Sequence, residues 1–306
     1  MLKKTCLVVA ALSLLLSGCG HAAPGVSAPE PTIDPYAGMV EVSSGYGTTM
    51  WVKEYEELEV NPFLGLDEAP EGYRAYAGID RSEHQGVIDW AALCGAGKID
   101  FAILRAGYRG YGAEGKLCRD AQFQENMSGT VENGLPVGVY FFSQAVSVEE
   151  AEEEAEYLLE ILSVYSPETF ALPIFYDWED ISNDTARTAD VDSATVTDCA
   201  VAFCEKITAA GYTPGVYAYR YFAYYGYDLP RISEYSLWIG ALGSEPDFYY
   251  AHDFWQFSVE ETLPGIEGNV DADVWVVKDD NVLPNRSFAF DAAESELYEA
   301  GADEPS

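Results

Sequence analysis

Short apolar runs and amphipathic stretches alternate along the middle of the chain, between residues 75 and 277. A short apolar run predicts a buried strand, and apolar positions every three or four residues predict a helix. The pattern predicts eight strands, which are Ala77–Asp80, Phe101–Ala106, Pro136–Ser143, Ala171–Tyr176, Pro214–Tyr219, Ser236–Ala241, Asp253–Phe257 and Asp273–Val277. Strands that alternate with helices are typical of α/β proteins.

Two of the connections have the pattern of well-formed helices. Ser147 and Glu150 form a predicted capping box ahead of the first, and the second runs from Ser193 to Ala210 and stops at Gly211. The last three strands have little helical sequence between them. The sequence therefore predicts an irregular (β/α)8-like barrel with helices missing in its second half. A doubly wound open sheet would show the same early alternation, so the spacing leaves both architectures open.

The N-terminal pattern is that of an export signal. Two lysines precede an apolar run over residues 6–16, which is too short to span a bilayer. The run ends in the sequence Leu-Ser-Gly-Cys, which resembles a bacterial lipobox. We predict a lipoprotein signal peptide over residues 1–18, lipidation of Cys19, and anchoring at the extracytoplasmic face of the bacterial cell membrane. An ordinary secretory signal that contains a cysteine is the alternative.

Composition divides the rest of the chain into segments. Residues 19–38 are rich in Pro, Ala and Gly and are predicted to be a tether. Residues 39–75 form a predicted small N-terminal extension, in which the alternation M-V-E-V-S-S-G-Y-G-T-T-M-W-V suggests a hairpin. The barrel is predicted to occupy residues 76–283, followed by an acidic C-terminal tail over residues 284–306.

The charge of the chain excludes several classes of function. There are 52 acidic and 16 basic residues, which give a formal charge of −36. Such a surface repels phosphate backbones and anionic lipids, which argues against nucleic-acid binding and against docking through a basic patch. The chain has three histidines and lacks the G-x-S-x-G, P-loop and H-E-x-x-H motifs. The remaining candidates for chemistry are carboxylates and aromatic rings.

A pair of acids follows the fourth predicted strand. In an extended chain Asp177 and Glu179 project to the same side, with their Cα atoms ~6.7 Å apart. Glycosidases use two carboxyl groups, spaced roughly 6.5–9.5 Å apart in inverting enzymes and about 5–5.5 Å apart in retaining ones, so the stereochemistry stays open. If Asp80 and Asp271 crowd around the pair, the pKa of at least one member rises. In so acidic a chain, such a pair can also be ordinary solvated surface.

A longer motif gives this pair a context. Residues 78–90, GIDRSEHQGVIDW, resemble the opening motif of family 25 glycoside hydrolases, the lysozyme-like N-acetylmuramidases, and match its D-x-S-x-x-Q-G-x-I-D-W pattern at every fixed position. Further matches follow in order over about residues 76–277, and they are Phe101–Tyr108, Asp120, Phe123, Asn126, Gly134–Tyr140, Asp177–Glu179, Gly211–Tyr217, Leu237–Ile239, Trp255–Ser258 and Gly265–Asp271. One departure is Phe141, where members of the family usually have histidine. It affects substrate preference only if the side chain faces the groove.

The resemblance implies cleavage of the β-1,4 bond between N-acetylmuramic acid and N-acetylglucosamine in peptidoglycan glycan strands. Glu179 would be the general acid, and Asp177 would assist the substrate's acetamido group or stabilise the transition state directly. Asp80 and Asp271 would complete an acidic floor. The substrate-binding residues would be Tyr140, Arg105, Tyr217, Trp238, Gln256 and Trp178. We expect a monomer with no metal and no organic cofactor. Core packing for the aromatic residues, and a structural ion pair for Arg105, remain alternatives.

Other functions stay open on the sequence alone. The same barrel could be a catalytically idle glycan-binding lipoprotein, although the presence of all four acids speaks against it. It could hydrolyse another N-acetylated polysaccharide, or the chain could be an acidic lipoprotein that stores cations. Cys94 and Cys118 flank the second strand, and a disulfide between them is neither favoured nor excluded. Cys199 and Cys204 lie about 140° apart around one predicted helix, so they do not easily pair with each other.

Overall fold

The structure is a computed structural model, and it describes residues 34–64, 69–181, 186–243 and 245–278. The chain forms two compact units, which are residues 1–37 and residues 38–306. Of the first unit only the last four residues are described, and they begin a turn. The predicted signal peptide, Cys19, most of the tether and the acidic tail lie outside the described residues.

The described residues contain eleven strands and six helices. The strands are β1 (Met39–Ser43), β2 (Thr49–Lys53), β3 (Tyr73–Arg81), β4 (Phe101–Arg109), β5 (Leu117–Arg119), β6 (Val137–Ser143), β7 (Ile174–Trp178), β8 (Pro214–Tyr219), β9 (Ser236–Gly240), β10 (Phe254–Glu261) and β11 (Val270–Lys278). The helices are α1 (Trp90–Gly95), α2 (Phe123–Glu132), α3 (Val148–Leu162), α4 (Ser193–Ala209), α5 (Arg220–Tyr225) and α6 (Leu229–Ile232).

Eight strands close into a barrel. Their order is β3–β4–β6–β7–β8–β9–β10–β11, with β11 paired back onto β3, while the short β5 adds to the edge of β4. These are the eight strands predicted from the apolar runs, and the closure excludes the open sheet. No described residues between β9 and β10, or between β10 and β11, form a helix, so the predicted loss of late helices is confirmed.

The last strand runs in the opposite direction from the other seven. Each neighbouring pair from β3 through β10 is parallel, whereas β11 is antiparallel to both β10 and β3. A parallel connection needs a crossover of a dozen or more residues, and residues 262–269 are too few for one. The reversal places the start of β11, rather than its end, at the barrel mouth where the parallel strands finish.

Three of the described helices, α1, α3 and α4, begin at side chains that accept backbone hydrogen bonds. Ser147 caps α3 by accepting from the Glu150 N–H, as predicted. The other half of the predicted capping box differs, because the Glu150 carboxylate accepts from the Val146 N–H and from Arg187. Asp89 caps α1 in the same way as Ser147 caps α3. Among the described residues, none of the helices is both long enough and apolar enough to cross a bilayer.

Apolar side chains fill two separate layers. Alternate strand residues point into the barrel or out towards the helices, because successive side chains in a strand face opposite sides. The inner layer consists of Phe101, Ile103, Tyr140, Phe142, Leu172, Phe175, Tyr217, Trp238 and Phe254. The outer layer includes the buried thiols of Cys199 and Cys204, while Cys94 and Cys118 are free and half-buried, so the disulfide left open by the sequence is not formed.

The segment before the barrel contains a hairpin that packs on the barrel. Strands β1 and β2 are antiparallel and bury Val42 and Val52. The Ser43 hydroxyl donates to Asp247 at 2.6 Å, and the Tyr250 hydroxyl donates to the carbonyl of Lys53 at 3.0 Å. The predicted extension thus includes a hairpin, and β3 begins within the extension's predicted range.

Candidate active site

Four carboxylates meet at one end of the barrel. Asp80 lies next to the last residue of β3, Asp177 next to the last residue of β7, and Glu179 directly after β7. Asp271 is the second residue of β11 and lies opposite Asp80 in the antiparallel pair. The charge of Asp271 acts on Glu179, and the charge of Glu179 acts on Asp177. The structure therefore brings together all four acids that the sequence singled out.

Asp177 is more deeply buried than Glu179, the other member of the predicted catalytic pair. It is 5% exposed, and its neighbours across the sheet are Phe142 and Tyr217. Burial and the charge of Glu179 raise the pKa of Asp177 well above its ordinary value, although Arg105 opposes the shift. Its Oδ1 atom has no hydrogen-bond partner within the described part of the chain. This oxygen is placed to accept a hydrogen bond from a bound substrate, since buried polar atoms are otherwise satisfied.

Glu179 is half-buried at the rim, beyond the end of the strand. The side-chain amide of Gln144 donates to the Glu179 carbonyl at 3.1 Å and fixes the backbone there. Burial, and then the charge of Asp271, raise the pKa of Glu179 to about 7. A carboxyl group with that pKa carries a proton over the acidic-to-neutral range while remaining accessible, which is what a general acid requires.

The floor of the mouth is a buried network around Asp80. The Gln256 amide donates to Asp80 at 2.6 Å and accepts from the Tyr217 hydroxyl at 2.7 Å. Beside it, the Trp238 indole N–H donates to Asp273 at 2.9 Å. Burial and the charges of Asp273 and Asp271 raise the pKa of Asp80 well above its ordinary value. Gln256, Tyr217 and Trp238 thus hold the acids of the floor in place.

Asp273 is a site residue that the sequence reasoning missed. It is fully buried, and burial raises its pKa well above the ordinary value. The signal was available, because Asp271 and Asp273 are two positions apart in one strand and must face the same side. The last strand was predicted to begin at Asp273, so Asp271 lay outside it and the shared face of the two acids was not recognised.

Asp271 is held by the loop that follows β3. The Gln85 amide donates to Asp271 at 2.9 Å, while its oxygen accepts from the Ser82 N–H at 2.8 Å. Burial raises the pKa of Asp271 to about 6, and the Arg81 charge and the Gln85 hydrogen bond limit the rise. Gln85 therefore braces this loop and also orients one of the four acids.

Arg105 forms a structural ion pair at the edge of the mouth. Its Nε atom donates to Asp120 at 2.8 Å, and its Nη2 atom lies 3.4 Å from Glu83. Its guanidinium also lies 4.9 Å from the ring centre of Tyr108. Of the two alternatives drawn from the sequence, the structure shows the ion pair. Its charge still reaches the site, because it lowers the pKa of Asp177.

Trp178 does not face the mouth, which corrects the prediction that it binds substrate. It is 2% exposed, its ring stacks on Phe222 at 5.2 Å, and its indole N–H donates to the Ala145 carbonyl. Because Asp177 points inward, its neighbours Tyr176 and Trp178 must point outward. Both belong to the layer between the barrel and the helices.

The other predicted aromatic residues line the barrel interior. Tyr140, Tyr217 and Trp238 are all buried there, and Trp238 packs edge-on against Tyr217 at 4.6 Å. These side chains support the floor instead of offering an open face. Phe141, where the family usually has histidine, points outward and packs against Tyr157 at 6.4 Å. That departure therefore lies away from the groove.

Two exposed tyrosines at the rim were not predicted. The ring of Tyr111 packs edge-on against Phe142 at 5.7 Å, and Tyr219 ends β8 beside Tyr217. Burial and the charge of Glu179 raise the pKa of both tyrosines, in the case of Tyr219 to about 12. Both hydroxyl groups are therefore within reach of the Glu179 charge. Exposed aromatic rings at the rim of the mouth are suited to contact a sugar. No local sequence pattern indicates that these two rings are exposed.

Comparison with known proteins assigns the family. The family model of glycosyl hydrolases family 25 matches residues 79–266. This range includes Asp80, Asp177, Glu179 and most of the barrel. The chain belongs to glycosyl hydrolase family 25. It is a glycoside hydrolase of the lysozyme type, and its eight-stranded α/β barrel with few helices is the fold of the solved family members.

Individual relatives match this chain over different lengths. Lysozyme M1 from Streptomyces globisporus is 26% identical over 287 residues, covering 87% of this chain and 86% of the relative. A lysozyme from Streptococcus phage Cp-9 is 30% identical over 144 residues, covering 43% of this chain and 39% of the phage protein. The modular autolysin LytC from Streptococcus pneumoniae, solved with a synthetic peptidoglycan ligand, has a TM-score of 0.57 and 29% identity, covering 66% of this chain and 47% of LytC.

Proposed function

We propose that this family 25 enzyme is a peptidoglycan hydrolase. Its reaction is cleavage of the β-1,4 bond between N-acetylmuramic acid and N-acetylglucosamine, with Glu179 as general acid and Asp177 assisting the acetamido group. The observation that carries the proposal is the position of Glu179, half-buried and with its pKa raised to about 7 among other acids. The peptidoglycan ligand of LytC and the lysozyme names of two relatives support the substrate class.

The geometry suggests how the residues divide the reaction. Glu179 donates its proton to the glycosidic oxygen as the bond to the anomeric carbon breaks. The substrate's acetamido oxygen forms a bond to that carbon, while Asp177 accepts a hydrogen bond from the acetamido N–H and stabilises its positive charge. The Glu179 carboxylate then takes a proton from the water that opens the ring so formed. Asp271 adds negative charge at the mouth and favours the positively charged transition state, while Asp80 anchors the floor through its hydrogen bond with Gln256.

The proposal is tested by incubating the purified protein with peptidoglycan. Muramidase action is expected to release new reducing ends on N-acetylmuramic acid, and the Glu179→Gln variant is expected to release almost none. Reducing ends on N-acetylglucosamine would contradict the assigned bond. Tight binding to glycan strands without any reducing ends would favour the catalytically idle alternative, and cleavage of only another N-acetylated polysaccharide would redirect the substrate.

We also propose that the enzyme is lipid-anchored at the extracytoplasmic face of the membrane. The support is the lipobox-like sequence before Cys19 and the Pro- and Ala-rich segment that follows it. With so acidic a chain, the anchor would depend on burial of acyl chains, at about 0.8 kcal/mol per CH2 group. A radiolabelled fatty acid supplied to expressing cells is expected to label the wild-type chain but not a Cys19→Ser variant. Equal labelling of both would contradict the anchor.

A further inference from the structure

Three tyrosines lie exposed along one short segment beside the mouth. Tyr219 is 40% exposed at the end of β8, and Tyr221 and Tyr225 are 66% and 47% exposed on α5. Single exposed rings are common on protein surfaces, but a contiguous group marks a binding surface. We call these three residues the tyrosine face.

The helix that carries this face is held rigidly from behind. On its buried side the Phe222 ring stacks on Trp178 at 5.2 Å, and the Tyr224 ring packs against Phe248 at 4.7 Å. On its exposed side Tyr221 and Tyr225 are four residues apart, with ring centres 4.8 Å apart and planes tilted by 44°. The two rings therefore form a preorganised surface, which lowers the entropy lost when a ligand binds.

The N-terminal hairpin fixes the far end of the same helix. The Tyr225 hydroxyl donates to the Trp51 carbonyl of β2 at 3.1 Å. At the hairpin turn Gly45, with a φ of 80°, lies against the guanidinium of Arg220, which also pairs with Asp247. A side chain at Gly45 would collide with that guanidinium. The hairpin lies outside residues 79–266, which the family model matches.

The face is continuous with the candidate active site. Tyr219 pairs with Gly240 at the rim of the barrel, and the charge of Glu179 acts on its hydroxyl. Just beyond Gly240, a cleft of about 620 Å³ is bounded by Leu242 on the barrel side and by Glu41 of the hairpin. A polymer that is cleaved at an internal bond extends from the mouth across the protein surface on both sides of that bond. The tyrosine face begins at Tyr219, at the rim of the mouth, and continues onto α5.

The chemistry of the face suits a neutral sugar. A pyranose ring has an apolar face of C–H groups that packs on an aromatic ring, and hydroxyl groups that bind polar atoms at its edge. Tyrosine offers both an apolar ring and a hydroxyl group. The chain's large negative charge disfavours anionic polymers and acidic protein partners at this surface.

We propose that the tyrosine face is a further binding site for N-acetylated sugar rings of the same glycan strand, beyond the bond that is cleaved. The inference rests on the proposed function, since it takes the substrate to be a glycan polymer. It gives the hairpin a role, which is to hold α5 so that Tyr221 and Tyr225 extend the groove. The enzyme would then prefer long strands over short fragments.

The test compares long soluble glycan strands with a fragment of two disaccharide repeats. In Tyr221→Ala, the ratio of kcat/KM for long strands to that for the fragment is expected to fall about tenfold relative to wild type, the loss expected from one packed ring. Tyr221→Phe keeps the ring and is expected to keep most of the preference. Unfolding temperatures of the three proteins show whether the fold is intact.

The outcomes separate the inference from the proposed function. If wild type cleaves and Tyr221→Ala leaves the ratio of the two kcat/KM values unchanged, the tyrosine face does not bind the glycan strand. The proposed function then still stands. If wild type cleaves neither substrate, the proposed function fails. In that case, the affinity of Glu179→Gln for long strands is compared with that of the double variant Glu179→Gln, Tyr221→Ala. About tenfold weaker binding by the double variant supports the inference, and equal binding overturns it.

Discussion

Replacing Glu179 by glutamine is expected to lower kcat on peptidoglycan by about 10²–10⁴-fold, the usual contribution of a positioned general acid. Glutamine has nearly the same size and stays uncharged, so it removes the transferable proton while disturbing the packing little. The wild-type rate is also expected to fall as the pH rises through about 7, where Glu179 loses its proton. In the variant this alkaline fall disappears from the residual activity. Release of reducing ends, followed across pH, measures both effects.

A matched control separates loss of the acid from loss of one negative charge. Glu205 is an exposed glutamate on α4, on the outside of the barrel. Glu205→Gln is expected to cleave at the wild-type rate with the wild-type pH profile. If Glu179→Gln retained more than about a tenth of the wild-type kcat, another group would have to supply the proton.

Replacing Arg109 by methionine is expected to cost about 3–5 kcal/mol of the free energy of unfolding. Arg109 is buried, and its Nε atom donates to the fully buried Glu154 of α3 at 2.7 Å. It also donates to the carbonyls of Gly115 and Glu150. Removal of the cation leaves the Glu154 charge buried without its partner. Chemical denaturation measures the loss, which corresponds to a fall of roughly 10 °C in the unfolding temperature.

The destabilisation is expected to depend on pH in a defined direction. Burial already raises the pKa of Glu154 to about 7 despite the opposing charge of Arg109. A carboxyl group whose pKa is raised by folding favours the folded state below its unfolded pKa, and this advantage is lost as pH rises through the folded pKa. The deficit of Arg109→Met is therefore expected to be smaller near pH 4.5 than above pH 7, because protonation removes the unpaired charge.

Two further variants control this prediction. Arg231 pairs with Asp198 at the surface, where both side chains are exposed, and Arg231→Met is expected to cost about 0–1 kcal/mol. Adding Glu154→Gln to Arg109→Met removes the buried charge and is expected to restore part of the stability. A deficit that is the same at all pH values, and unchanged in the double variant, would point to lost packing instead of the unpaired carboxylate.

The barrel strands were predictable because burial on both sides demands nearly continuous apolar sequence. The direction of β11 was predictable in principle, since the eight residues between β10 and β11 cannot cross over. That reversal is what makes Asp271, which precedes the apolar run of the last strand, a neighbour of Asp80. The contacts of the hairpin with Asp247 and Tyr250 join residues about two hundred positions apart, and no local pattern specifies them.

In the site, too, local sequence patterns predicted some features, while others depend on contacts between distant parts of the chain. The four acids were found because two lie in a D-x-E pair and all four fall in the family motif. The outward direction of Trp178 follows from strand alternation once Asp177 is known to face inward, so that error was avoidable. The exposure of Tyr219 and Tyr221 depends on how the barrel rim, α5 and the hairpin pack, which the sequence alone does not determine.

The most direct test is the pKa of the Glu179 carboxyl group, measured by ¹³C NMR on protein with labelled glutamate. Comparison with Glu179→Gln assigns the signal. A pKa of about 7 is expected, because the carboxyl is buried beside the charge of Asp271, and Asp271→Asn is expected to lower it. An ordinary glutamate pKa that does not respond to Asp271→Asn would contradict Glu179 as the general acid.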